Sequence, residues 1–510
     1  MVKLFSSFMH MGASRAAGLR ASLGALRAVH LALLSVLGLF IASCSTNPAT
    51  GEKQFTAFMP AASEANVGAE EHSKILAQYG AVDDAQLRAM VTEVGGRIVP
   101  FTERPDVRYT FTVLDTPDVN AFALPGGYVY VTRGLLALAN NEAELAAVIA
   151  HEIGHVTARH SAERYSRSVA TGLGTTLLSV LLDSDGANDL LGLGSNLYLS
   201  SYSRTQEHQA DTLGIRYITQ AGYDPYAMAS FLTALERNTE LKKKEMGSGA
   251  GSAPSYFSTH PVTQERVSKT LAEAGQQNYN DKAVVNHEGY LNMLQNLVYG
   301  DSAAQGFVHT GRFVHPKLGF AFTLPKGFTI QNGAKEIAIM SGKSNALALA
   351  DSVAVQSGQS METYLRTVWL KGKNAGTVEN RVVNGHPTAI ATQQGAVNGK
   401  AATLVLAAVQ WKPDTVFRFH LALPSGITEA ERNAMMQMVS SFQTLSAEDA
   451  ARLKPKRLVV FESSGLQNVS KAAAKMPFDD GLNELRFRVL NGLSSSDALQ
   501  KGRLYKTIVQ

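Results

Sequence analysis

Two histidines four residues apart enclose a glutamate in the run His151-Glu152-Ile153-Gly154-His155. On a helix, residues four apart lie one turn above each other, so both imidazoles project from one face. Each can give one ring nitrogen to a tetrahedral metal. Glu152 lies one residue round. It can reach a water beside the metal without being a ligand, the position of a general base. A five-residue pattern also arises by chance, so its surroundings must decide.

Those surroundings read as a helix. Asn141 is an N-cap candidate and Glu144, three residues on, suits a capping box. Leu145, Val148, Glu152 and His155 follow helical spacing, so the histidines share the face that the helix buries. Burying them there is costly unless they bind something. Such a site needs a third protein ligand and one open position. Thiolates are excluded, because the single cysteine, Cys44, belongs to the N-terminal region. The extended pattern H-E-x-x-H-x-x-G-x-x-H is absent, since Ala158 and Ser161 stand at its last two positions. A downstream carboxylate remains. Glu207 and Asp211 share a face of a second helix that stops at Gly222, before Asp224-Pro225. One can bind metal while the other accepts a hydrogen bond from a ligand histidine. Gly214 continues that face and would let two helices approach closely. His160 and His208 are out of helical phase with the ligands and read as structural.

Four blocks, in order, carry a resemblance. They are residues 120–135 (Asn-Ala-Phe-Ala-Leu-Pro-Gly-Gly onward), residues 151–155, residues 204–211, and Ser258-Thr259-His260-Pro261. The set resembles the M48 family of gluzincin metallopeptidases, in its periplasmic, outer-membrane quality-control branch. The likeness covers roughly residues 47–275. It implies one Zn²⁺ per chain held by His151, His155 and Glu207, with Glu152 as general base. It also implies a catalytic role for Asp211, where spacing alone supports orienting a histidine. Residues Asn120, Ala121, Phe122 and Ala123 would form an edge strand on which substrate adds as an antiparallel partner. The alternation of Tyr128, Tyr130 and Thr132 with Val129 and Val131 suggests a half-exposed strand beside it. His260 follows a Lys242-Lys243-Lys244 run and a Gly/Ser/Ala-rich stretch at 247–254, composed like a mobile loop. A histidine there can fill the open zinc position, so a self-inhibited resting enzyme is expected.

The N-terminus points to a compartment. Residues 1–43 contain Lys3, Arg15, Arg20 and Arg27 and no acid, then an apolar run ending Ile41-Ala42-Ser43 before Cys44. This reads as a lipoprotein signal peptide with Cys44 as the lipidated residue, placing the chain in the bacterial periplasm on a lipid anchor, with the outer membrane favoured. The chain has 47 basic and 43 acidic residues; without those four bases the balance is 43 to 43. Nothing in the charge therefore favours nucleic acid.

The expected fold class is α+β. A chain of 510 residues exceeds one core and divides into domains. A mostly helical peptidase domain with a small sheet is expected at 47–298. Between its two ligand helices, residues 170–199 carry two apolar pieces, each too short to span a bilayer, read as a helical hairpin over the site. An α+β module of unassigned role follows at 306–445, with hairpin signals at Asn384-Gly385 and Asn398-Gly399. No helical repeat is visible. The tail, 456–510, resembles a LysM module of β-α-α-β order. Ser464-Gly465-Leu466 stands where that module has Gly-Asp-Thr, so its binding to peptidoglycan is open. Two functions remain. One is an endopeptidase acting on misfolded or misassembled envelope proteins. The other is an assembly factor or holdase whose peptidase is largely latent.

Overall fold

The computed structural model describes residues 44–181, 201–246, 259–280, 282–333, 336–397, 399–466 and 468–510. The signal peptide expected at 1–43, the whole second apolar piece of the hairpin and the loop at 247–258 lie outside the described residues. The first apolar piece continues a helix to Leu181. Of the described residues, 40% are helix and 26% strand, an α+β composition. Among the described residues no helix is long and apolar enough to cross a membrane.

A short hairpin comes first, β1 (Cys44–Thr46) paired with β2 (Lys53–Phe55). Helices α1 (Glu64–Tyr79) and α2 (Ala85–Ile98) follow. A three-stranded sheet is built from β3 (Thr110–Leu114), β4 (Ala121–Leu124) and β5 (Tyr128–Thr132) in the order β3-β5-β4. Then come α3 (Arg133–Leu138), α4 (Glu142–Thr157), α5 (His160–Leu181), α6 (Arg204–Gln220), α7 (Ala227–Met246), α8 (Gln264–Gly275) and α9 (His287–Met293).

The sheet corrects one expectation. β5 is the central strand, parallel to β3 and antiparallel to β4, and it is buried on both faces. Val129 and Val131 join the main core with α2 and α4. Tyr130 faces the other way, stacks on Phe122 and bonds His72 Nδ1 on α1 at 2.6 Å. The alternation of tyrosine and valine therefore marks two different apolar covers, not one wet face.

Residues 307–444 form a second core. Its seven-stranded antiparallel sheet has the order β12-β13-β14-β15-β11-β10-β9: β9 (Phe328–Asn332), β10 (Ile337–Ser341), β11 (Leu347–Ala354), β12 (Thr377–Val383), β13 (His386–Val397), β14 (Lys400–Lys412) and β15 (Thr415–Pro424). Asn384 and Gly385, both at positive φ, make the tight turn between β12 and β13. A four-stranded sheet, β16-β8-β7-β6, is formed by β6 (Phe307–His309), β7 (Arg312–His315), β8 (Phe320–Thr323) and β16 (Gln443–Thr444). Rings of Phe313, Phe320, Phe322, Phe417, Phe419 and Phe442 fill the space between.

This core contains an acid-sensitive group. His315 is buried against Phe320 and accepts the Leu318 N–H on Nδ1, and burial pushes it down to about 4. As pH falls from 6.5, the unfolded chain takes a proton that the folded chain refuses until about pH 4. Stability present above pH 6.5 is therefore lost across that window, by roughly 3 kcal/mol at most. Denaturant titrations at pH 7 and 4.5 should show His315→Gln losing 2–3 kcal/mol less than the parent, in round terms about that shift. Equal losses would contradict it.

The tail has the order β17 (Arg457–Glu462), α10 (Val469–Ala473), α11 (Asn483–Leu490), β18 (Leu504–Val509), and its two strands pair antiparallel. It does not stand apart from the helical part. Leu458, Met476, Phe487, Leu490, Tyr505 and Ile508 belong to the same hydrophobic core as α2, α4 and α7. Backbone bonds run from Asn296 N to Leu458 O (2.9 Å), from Leu458 N to Leu297 O (2.8 Å) and from Tyr299 N to Lys456 O (2.8 Å).

Candidate metal centre

Helix α4 starts where its cap predicts: the Asn141 side chain accepts the Glu144 N–H at 2.8 Å. Helix α6 starts at a full capping box between Ser203 and Gln206. The two helices touch through glycines. A methyl group on Gly154 would lie 3.2 Å from Ala210 O, and one on Gly214 would lie 3.2 Å from the His151 nitrogen. That closeness brings Glu207 on α6 against His151 and His155 on α4.

Four donors converge in a buried space: His151, His155, Glu207 and His260. The Nε2 atoms of His151 and His155 are 3.1 Å apart. Glu207 Oε2 is 3.6 Å from His151 Nε2, and its Oε1 is 3.5 Å from His155 Nε2. His260 Nδ1 is 2.9 Å from Glu207 Oε1 and 3.3 Å from His151 Nε2. A tetrahedral ion with bonds of about 2.0–2.1 Å has ligand–ligand edges of roughly 3.3–3.4 Å. These contacts, 2.9–3.6 Å, bracket that length, and one ligand atom from each of the four residues lies within 4.8 Å of the others.

The protons agree. Asp211 Oδ1 lies 2.9 Å from His151 Nδ1, and a carboxylate only accepts. The His151 proton therefore sits on Nδ1, and its Nε2 lone pair faces the cluster. Two imidazole lone pairs and a carboxylate pointing at one space suit a cation. The residues present fit a metal ion.

Glu152 stands beside this set. Both its oxygens are buried without a hydrogen bond; His260 Nε2 is 3.5 Å away. Burial pushes its carboxyl above the usual carboxylate range, which suits a group that must take a proton. His260 thus reaches the donor cluster with one nitrogen and the Glu152 side with the other. Its ring is fully buried.

Asp211 is fully engaged. Arg266 of α8 grips it with two bonds, 2.8 and 2.7 Å, and its Nη1 lies 2.7 Å from Glu207 Oε2. Burial opposes the Asp211 charge, but Arg266 and His151 together outweigh it and hold the carboxyl below its ordinary value. This arrangement orients His151.

Sequence reasoning missed Arg266. Arg266, Thr270 and Ala274 are the buried face of α8, and an arginine on such a face needs a carboxylate partner. Tyr202 was missed too. Its ring stacks on His155 at 3.8 Å, with the Arg164 guanidinium 4.0 Å from the same ring.

His160 departs from expectation. Its Nδ1 is 2.8 Å from His155 Nδ1. The helical phase that set it apart does not extend that far: Arg159, at φ 57°, breaks the helix after α4 and turns His160 back at the start of α5. His208 stays off the site, 3.6 Å from Glu265. Asn120, Ala121, Phe122 and Ala123 lie on and before the edge strand β4, packed against α4, and all are buried.

Residues 84–274 match the model of peptidase family M48, a family of metal-dependent peptidases. The beta-barrel assembly-enhancing protease of Escherichia coli is 30% identical over 204 residues, covering 38% of this chain and 40% of that protein. Mitochondrial metalloendopeptidase OMA1 of Schizosaccharomyces pombe is 32% identical over 214 residues, covering 40% of this chain and 59% of that protein. The OMA1 of Arabidopsis thaliana is 36% identical over 169 residues, covering 33% of this chain and 32% of that protein. The chain thus spans about a third to three fifths of the length of these relatives. The matched segment holds all four donors, Glu152, Asp211 and Arg266.

Proposed function

We propose that the chain is a zinc-dependent endopeptidase of the bacterial cell envelope that cleaves misfolded or misassembled envelope proteins. The observation that carries the reading is the buried cluster of His151, His155, Glu207 and His260 with the Glu152 carboxyl beside it. Zinc bound there would act as a Lewis acid and make water a nucleophile near neutral pH. His151, His155 and Glu207 would hold the ion, and Asp211 with Arg266 would orient His151. Glu152 would take the proton from water and return one to the leaving amine.

Substrate would add to β4. Thr132 N–H donates to Asn120 O at 3.0 Å, so the alternation of an antiparallel pair turns the Ala121 and Ala123 backbone groups to the edge away from β5; both residues are buried, so substrate would have to uncover that edge. Attachment through a lipid on Cys44 is part of the proposal, as is contact of the tail with peptidoglycan. The name of the Escherichia coli relative supports an envelope role.

Metal content and casein cleavage, each with and without chelator, test the reading. One zinc per chain and chelator-sensitive cleavage are expected. A folded protein that is metal-free as purified and inert with added zinc would overturn it.

A second reading has its own support: His260 is fully buried among the other donors. His260 takes the fourth position and faces Glu152, which suits a latent peptidase with an assembly or holdase role. His260→Ala should raise cleavage of unfolded casein by roughly tenfold or more, because the competent fraction limits the resting enzyme. Unchanged or abolished cleavage at normal metal content would count against self-inhibition.

A further inference from the structure

We propose that His160 is a positioning residue for the metal ligand His155, the inner link of a hydrogen-bond chain that starts at Glu52. This rests on the metal-centre reading above.

The chain is directional, and its direction starts at the surface. Gln209 Nε2 lies 2.7 Å from Glu52 Oε2. A carboxylate only accepts, so this contact fixes which end of the Gln209 amide is nitrogen. Gln209 Oε1 then faces His160 Nε2 at 2.9 Å, and His160 must donate from Nε2. A second proton on His160 would bury a cation beside the metal centre, so its Nδ1 accepts. The donor to it, at 2.8 Å, is His155 Nδ1–H. The His155 Nε2 lone pair is left facing His151 Nε2 and Glu207. A carboxylate on the β1–β2 turn thus dictates, through two side chains, which nitrogen of a buried histidine is free to bind.

The two ligand histidines are therefore held differently. Asp211, a carboxylate, backs His151. A neutral imidazole backs His155, and its chain leads to the N-terminal hairpin. His160 is fully buried and its ring meets His155 edge-on at 5.0 Å, so it cannot swing away from this contact freely. A merely space-filling histidine would need neither the Gln209 bond nor the Glu52 contact.

The test uses the whole chain and reads metal rather than turnover. Zinc affinity is measured by competition with a chromophoric chelator, and the visible absorption of the cobalt(II)-substituted protein reports ligand geometry. His160→Leu is expected to weaken zinc binding by roughly 10–100-fold and to shift the cobalt bands. His160→Gln should recover most of the affinity, because its amide can accept from His155 and donate to Gln209. Gln209→Leu, at a half-buried position, should give a smaller loss in the same direction and covers the case in which His160→Leu fails to fold. Parental affinity and spectrum in His160→Leu, or in Gln209→Leu where that stands in, would overturn the inference. So would a His160→Gln variant no better than His160→Leu. A parent chain that binds no metal would instead remove the metal-centre reading itself.

Discussion

Glu152→Gln is expected to abolish peptide cleavage while leaving metal content intact and thermal stability no lower. Losing a general base costs roughly 10²–10⁴ in rate, and the four donors do not include Glu152. The stability side follows from burial. Both Glu152 oxygens are buried without a hydrogen bond, and a buried carboxylate in that state is destabilising. An amide of nearly the same shape removes the charge. The variant should therefore be inactive and melt at the same or a higher temperature, the trade expected of a strained catalytic group. Casein cleavage, zinc content and a melting curve on one preparation decide it. Near-parental cleavage would remove Glu152 from the reaction. The same variant separates the two functions, because an assembly or holdase activity should survive it.

Deleting residues 457–510 is expected to unfold the helical part and take the metal centre with it. Leu458, Phe487, Leu490, Tyr505 and Ile508 are each under 5% exposed within the shared core. At roughly 1.5–3 kcal/mol per buried side chain, these five alone match the net stability of a typical domain. Lys506 adds a polar link. Its Nζ donates to the carbonyls of Ala137 (2.8 Å), Leu138 (3.2 Å) and Ala139 (2.7 Å), the last turn of α3, just before the metal helix. Burial lowers it to about 7, with Glu144 pulling the other way. Arg486 on α11 also holds Glu245 near the end of α7, at 2.7 Å. Lys506→Met should destabilise the whole chain by about 1–3 kcal/mol, because it strips donors from buried carbonyls. Soluble yield, circular dichroism and zinc content of the deletion are the measurements. A folded, metal-loaded 1–456 fragment would show instead that the tail is a separate module. For the same reason, peptidoglycan binding is better tested by co-sedimentation of the whole chain than of the tail alone.

Local chemistry accounts for most of what could be read in advance. The cap at Asn141, the one-turn spacing of His151 and His155, and the small residue Gly214 each act over a few residues, so their consequences are visible in a linear pattern. The same holds for the Asn384-Gly385 turn and the order of elements in the tail. The failures share one cause. Arg266 looks like an ordinary helix residue until Asp211 and Glu207 stand opposite it. Helical phase set His160 aside, but one left-handed residue, Arg159, cancels that phase. The alternation in β5 gives its two faces but not that both are covered.

The sequence by itself therefore offered the candidate groups: His151, Glu152 and His155 by spacing, Glu207 or Asp211 on a second helix, and Glu207 and His260 as ligands only through the family resemblance. The tertiary structure decided how those groups are held and whether the site is open. It placed Arg266 behind Asp211, His160 behind His155, His260 beside Glu152, and the tail against α3 and α7. The candidates follow from side-chain chemistry and short-range spacing. Orientation, tautomer and access depend on groups far apart in the chain, which only the packed core brings within hydrogen-bonding distance.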